Sequence, residues 1–227
     1  MRIALFLITS SFLLAQETPI EIGSFSSLKV QDGINISLIP SDQNKIQISG
    51  ERKEFVTITN KDGQLKIRMK TKKKLGGFKT NIELYYNSRL DKIDAIEGAF
   101  VSSADVIMQP SVFLSARRGG EIDLVLDVQK AEYKATTGGK ITSKGVAKVQ
   151  NIRITTGGVV QAKEVQSEQT EASLAYGGVC DFSASTIAQV KTNFGGYARI
   201  HGKPNKLEHT KFLGGSASVV TPTKSDE

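Results

Sequence analysis

Arg117, Arg118, Glu121, Asp123 and Asp127 crowd into eleven residues of the chain. Glu121 and Asp123 stand two apart, so on a strand both carboxylates leave the same face while Ile122 turns the other way. Two carboxylates beside an arginine could hold a cation or a sugar, or serve as acid and base in cleaving a polysaccharide. The pair does not recur, because Lys140 and Thr142 occupy the same places nineteen residues later. A plain solvated face is therefore the favoured reading. A second cluster, Lys70, Lys72, Lys73, Lys74 and Lys79, flanks Leu75-Gly76-Gly77-Phe78 in what reads as a loop. Such a tip could meet an anionic surface, although a solubilising loop is the simpler account. Arg117, Glu121, Asp123, Lys72, Lys73 and Lys74 form the candidate ligand surface. His201 and His209 are the only histidines, a thin basis for a zinc site or a histidine triad. Lys140, Val159 and Val179, rather than aspartates, follow the glycine pairs, unlike calcium-binding nonapeptides. No cofactor, metal or catalytic residue is expected.

The elements that must position these groups repeat. Gly-Gly pairs begin at residues 119, 138, 157, 177, 195 and 214, in steps of 19, 19, 20, 18 and 19, and a weaker copy is Glu97-Gly98-Ala99. Three residues before the first glycines stand Ala95, Ala116, Ala135, Ile154, Leu174, Thr192 and Lys211; three after stand Val101, Ile122, Ile141, Val160, Cys180, Ala198 and Ala217. Apolar residues recur two apart within a unit, as in a strand, and no helical period persists. A period near 20 without helix predicts an all-β chain: a parallel β-helix, expected right-handed, with coils of about 19 residues. A β-sandwich or barrel ranks second, since it does not require identical offsets. The first glycines should stack along one corner, where missing Cβ atoms let successive backbones approach. Val106, Val146 and Val165, eight residues past their glycines, are expected inside. Tyr176, Phe194 and Leu213 precede consecutive glycine pairs and would stack in one column, and their parity with Leu174 and Thr192 favours core packing over an exposed aromatic binding ladder. Cys180 lies in an apolar column and reads as a small buried hydrophobe.

Residues 1–15 combine Arg2, a short apolar run and Ala15, the pattern of a cleaved signal peptide. The run falls short of the ~20 residues of a spanning helix. Its removal leaves 212 of 227 residues and lowers the net charge from +7 to +6, still basic. No later stretch is suited to spanning a membrane. Residues 16–90 alternate differently, with short strands and an Asp62-Gly63 hairpin signal, and should form an antiparallel β region capping the first coil. The solenoid is expected over 91–222 and a disordered tail over 223–227.

The order of Val30-Gln31-Asp32-Gly33-Ile34-Asn35-Ile36, Asp62-Gly63-Gln64-Leu65-Lys66-Ile67 and Leu90-Asp91-Lys92-Ile93, leading into glycine-marked coils, resembles the head GIN domain family, named for the Gly33-Ile34-Asn35 triplet. The likeness runs from about residue 26 to 215. It implies an exported, Bacteroidetes-type all-β protein with a β-helical body and an adhesin role, and it supplies no catalytic residues. The expected function is thus a non-catalytic cell-envelope binding or adhesion module in the periplasm or on the outer surface of a Gram-negative bacterium. A polysaccharide-active enzyme and a periplasmic envelope-stress or scaffold protein are the alternatives. Export makes anionic glycan, lipid headgroups or an envelope protein the expected partners, rather than nucleic acid.

Overall fold

The computed structural model describes residues 19–70 and 77–220, so the expected signal peptide, Lys72 to Lys74 and the tail lie outside the described residues. The strands are β1 (Ile20–Glu21), β2 (Ser27–Val30), β3 (Asn35–Pro40), β4 (Lys45–Gly50), β5 (Val56–Lys61), β6 (Gln64–Met69), β7 (Thr80–Tyr86), β8 (Lys92–Ile96), β9 (Phe100–Arg117), β10 (Glu121–Thr136), β11 (Lys140–Thr155), β12 (Val159–Gln166), β13 (Gln169–Ala175), β14 (Val179–Ser183), β15 (Ile187–Asn193), β16 (Tyr197–His201), β17 (Lys206–Phe212) and β18 (Ser216–Val219). They form a parallel solenoid of about seven turns with coils of about 19 residues, closed at its start by antiparallel strands.

The registers follow the glycine arithmetic. Val101, Ile122, Ile141, Val160, Cys180 and Ala198 pair in succession on the face that follows the glycine corner, and all are buried. Ala95, Ala116, Ala135, Ile154 and Leu174 do the same on the face that precedes it. Each coil thus lays apolar side chains on those of the next, and a fully buried Leu or Ile in such a column contributes roughly 1.5–3 kcal/mol. The eighth-residue column does not survive: Val165 is buried, but Val106 and Val146 are exposed. A bulge shifts the pairing between Asp123 and Val125, and another between Thr142 and Lys144. Alternation from Val101 and Ile141 already turns Val106 and Val146 outward, since each stands five residues on, and Ile107, Leu126 and Ala147 fill the core. The extra residue of β12 opposite Thr142 and Lys144 reverses the phase and brings Val165 in.

The corners are tight turns. Glu97, Arg118, Thr137 and Thr156 have φ of 57, 49, 52 and 51°, and the glycines after them 71 to 74°. In each, the amide two residues past the first left-handed residue donates back across the turn, as Gly139 N does to Thr136 O at 3.1 Å. Two positive-φ residues closed by that bond make a type I′ turn. Here the steric expectation is overturned. A Cβ on Gly119, Gly138 or Gly157 would meet nothing within 4 Å, so the first glycine answers only to φ. The second glycine is the one with no room: a Cβ on Gly120, Gly139 or Gly158 would lie 2.2, 2.1 or 2.5 Å from the carbonyl oxygen of Ala95, Ala116 or Ala135.

The solenoid begins earlier in the chain than its glycine pairs. β2 and β3 flank Asp32-Gly33, at φ 65 and 80°, and take the solenoid register, with Val30 opposite Ala95 and Ile36 opposite Val101. β6 and β7 then pair parallel to the other edges of β2 and β3, so this early coil is inserted between two later ones. The antiparallel pairs are β5 with β6, β4 with β7 and β1 with β4. The first of these is the expected hairpin, its turn at Asp62-Gly63 with both φ positive. The Gly-Ile-Asn triplet now has a physical reading. Gly33 supplies the corner beneath the Phe78 ring, Ile34 is buried in the core, and the Asn35 amide donates to Asn81 Oδ1 at 3.2 Å across the coils.

Candidate binding surface

Alternation places Glu121 and Asp123 outward and Ile122 inward, as a strand requires. Glu121 registers with Lys140, their charged atoms 4.0 Å apart, and Asp123 registers with Thr142. Arg117 lies on the other side of the corner. Its guanidinium forks onto Asp94, with Nε to Oδ1 at 3.2 Å and Nη2 to Oδ2 at 2.6 Å. Asp94 is almost wholly buried, so this pair ties two coils together. Arg118 reaches Glu97 at 2.8 Å. At the described ends of the basic loop, Lys70 donates to Glu54 O at 3.2 Å and Lys79 pairs with Glu51 at 3.0 Å.

A further polar cluster lies on the face that follows the corner. Thr142, Gln161, Asp181 and Arg199 register in one outward column, Asp181 taking both arms of the Arg199 guanidinium. The bond to Asp181 raises the Arg199 pKa further. His201 Nε2 lies 3.5 Å from Asp181 Oδ1, and Arg199 also stands over the Tyr197 ring at 5.9 Å. A groove of about 450 Å³ opens beside Asp181, Arg199, His201 and Lys163. Sequence reading passed over this cluster, yet its signal was present: Gln161, Asp181 and Arg199 each stand four residues after a first glycine.

The largest departure from expectation is at the corner itself. Tyr176, Phe194 and Leu213 are 64, 47 and 67% exposed, not buried. Strand alternation ends at Ala175, Asn193 and Phe212, and the next residue is left-handed, at φ 57, 56 and 48°. That conformation swings the side chain away from the core, so parity counted from Leu174 or Thr192 no longer holds. The Tyr176 and Phe194 rings stack at 5.2 Å between centroids and 1° between planes, and Phe212 meets Phe194 edge-on at 5.5 Å. The left-handed corner positions form one line along the solenoid. It runs from Asp32, Glu97 and Arg118, through Thr137 and Thr156, to Tyr176, Phe194 and Leu213.

Cys180 is buried where expected, and burial pushes its thiol far above the ordinary range. Among the described residues, no helix is long and apolar enough to cross a membrane.

Solved structures share this architecture. A protein from Bacteroides fragilis NCTC 9343 described as a "putative adhesin" superposes with a TM-score of 0.80 at 18% identity, covering 89% of this chain and 95% of its own. A "putative lipid binding protein" from Parabacteroides distasonis ATCC 8503 gives 0.64 at 13% identity, covering 90% and 96%. A "putative adhesin" from Parabacteroides merdae ATCC 43184 gives 0.58 at 15% identity, covering 90% and 95%. At these identities the likeness is one of fold. No curated protein matches the sequence. The family described as "Putative auto-transporter adhesin, head GIN domain" matches residues 24–204, most of the described solenoid and its antiparallel cap, and the chain belongs to that head GIN domain family.

Proposed function

We propose that this protein is an exported, non-catalytic binding module of the cell envelope, which presents a rigid solenoid edge to a partner outside the cytoplasm. The observation that carries this reading is the exposed apolar end of the corner line. A left-handed site costs a non-glycine residue roughly 1–2 kcal/mol, and asparagine or glycine fills it most readily. The Tyr176–Phe194 stack joins two coils, yet Tyr176, Phe194 and Leu213 on three consecutive coils each remain about half exposed or more, apolar surface that the fold leaves uncovered. Exposed apolar surface of this kind marks interaction sites. The apolar run at residues 3–15, the family's description as an adhesin and the names "putative adhesin" and "putative lipid binding protein" of its structural neighbours support the same direction. The glycan-cleaving alternative is weakened because both arginines of the cluster are engaged elsewhere, Arg117 with Asp94 across the corner and Arg118 with Glu97, rather than with Glu121 or Asp123.

The test is protease treatment of intact Gram-negative cells expressing the full chain with a C-terminal tag, with lysed cells as the control. Loss of the tag from intact cells is the expected result. Protection until outer-membrane permeabilisation would place the partner in the periplasm, and recovery of the tag with cytosolic proteins would overturn the proposal.

A further inference from the structure

We infer that the apolar end of the corner line docks on an anionic lipid surface, with Tyr176, Phe194 and Leu213 entering the interface; this rests on the envelope-binding reading above and names its partner. The geometry of the rings decides between two kinds of apolar ligand. Carbohydrate rings stack on free aromatic faces. Tyr176 and Phe194 are parallel and 5.2 Å apart on neighbouring coils, so each covers one face of the other. Phe212 lies edge-on to Phe194 and breaks any continued platform. A pair of rings stacked on each other beside a bare leucine is poorly made for sugar stacking and well made for entering the headgroup and acyl boundary, where amphipathic aromatic rings settle.

Charge fits the same partner. In the last coil, residues 197–219, Arg199, Lys203, Lys206 and Lys211 stand against one acid, Glu208. Glu208 is already neutralised by Lys206 at 2.6 Å, and its pKa is lowered by that bond and by the Gln189 amide. In the coil before, Asp181 is held by Arg199, and Lys191 reaches back to Glu171 of the preceding coil at 3.0 Å. Among the described residues of the last two coils, the carboxylates Asp181 and Glu208 are both paired with cations, so neither opposes a negative surface, while Lys211 is exposed immediately before Phe212. Lysines near the surface of an anionic membrane each contribute about 1 kcal/mol, within a Debye length. One cation and three exposed side chains make a shallow, reversible attachment.

The chain has no tryptophan, so Phe194→Trp introduces a single reporter at an exposed site. The exported protein carrying this change is titrated with vesicles of phosphatidylglycerol and phosphatidylethanolamine, and separately with phosphatidylcholine vesicles. The expected result is a blue shift and quenching by brominated acyl chains with the anionic vesicles, and at least ten-fold weaker partition into phosphatidylcholine. In the otherwise native protein, Tyr176→Ser with Leu213→Ser should lower co-sedimentation with anionic vesicles by ten-fold or more, with an unchanged circular dichroism spectrum. No shift and no co-sedimentation overturns the inference. So does a shift produced by purified surface glycan alone, or one that appears without vesicles and follows protein concentration, which would assign the patch to sugar or to a second copy of the chain. Binding of the same protein to isolated envelopes separates the two readings. If envelopes bind and vesicles do not, only the lipid assignment falls; if neither binds, the envelope-module reading falls with it.

Discussion

Alanine at Gly138 and at Gly139 should separate two physical reasons for one sequence motif. Gly138 has φ of +71° and open space around it, so Gly138→Ala costs only the left-handed strain, roughly 1–2 kcal/mol. At Gly139 the new Cβ would lie 2.1 Å from Ala116 O, 2.4 Å from Ala116 C and 2.9 Å from Arg117 N. All three are backbone atoms, so no side chain can turn aside. Restoring ordinary contact requires a shift of about an ångström between coils that are held together there by Lys140 N to Gly120 O at 3.0 Å. Overpacking typically costs 1–3 kcal/mol, and each inter-coil hydrogen bond lost adds about 0.5–1.5, so the expected total is roughly 3 kcal/mol or more. For a chain of this size that corresponds to a Tm lowered by roughly 6–12 °C, against about 2–8 °C for Gly138→Ala. Urea unfolding, with the slope checked for constancy, measures both. Equal losses, or a larger one at Gly138, would refute the assignment of crowding to the second glycine.

Two further outcomes follow from burial and from the corner line. Cys180 should resist thiol reagents in the native protein and react at the rate of global or sub-global opening, with labelling that rises in step with urea; rapid labelling in buffer would show that its column is open. Leu213→Asn should leave stability unchanged or raise it by up to about 1 kcal/mol, because asparagine accepts the left-handed site more readily and Leu213 is largely exposed, while partition into anionic vesicles falls. A marked loss of stability would show Leu213 to be a packing residue.

How much of this was legible in the sequence depended on how far strand alternation runs. Within strands it is a reliable ruler: counting from the glycines gave the Val101 to Ala198 and Ala95 to Leu174 columns, and the outward setting of Glu121 and Asp123. The eighth-residue column ran against it, since Val106 and Val146 stand an odd five residues from the buried Val101 and Ile141 and only the shifted phase of β12 turns Val165 inward. Alternation itself ends at Tyr176, Phe194 and Leu213, where left-handed residues intervene. The insertion of the β2–β3 coil between β6–β7 and β8–β9 was also hidden. Parallel strands find partners far away in the chain, and no local pattern records which edge of β2 each one takes.

The same distinction explains why the corner line carries the functional information. Core columns accept only apolar side chains of fitting size, and the second glycine accepts no side chain at all, so those positions report the fold. From Arg118 onward, unlike at the buried Asp32, the left-handed corner residue constrains its backbone but leaves its side chain exposed. The fold would be served by asparagine at every coil. The chain instead places an Arg118–Glu97 ion pair early, threonines in the middle and an aromatic and leucine ladder at the end. The ion pair and the ring stack join neighbouring coils, but at the apolar end Tyr176, Phe194 and Leu213 stay largely exposed, so that end has surface to offer a partner beyond what the solenoid itself uses.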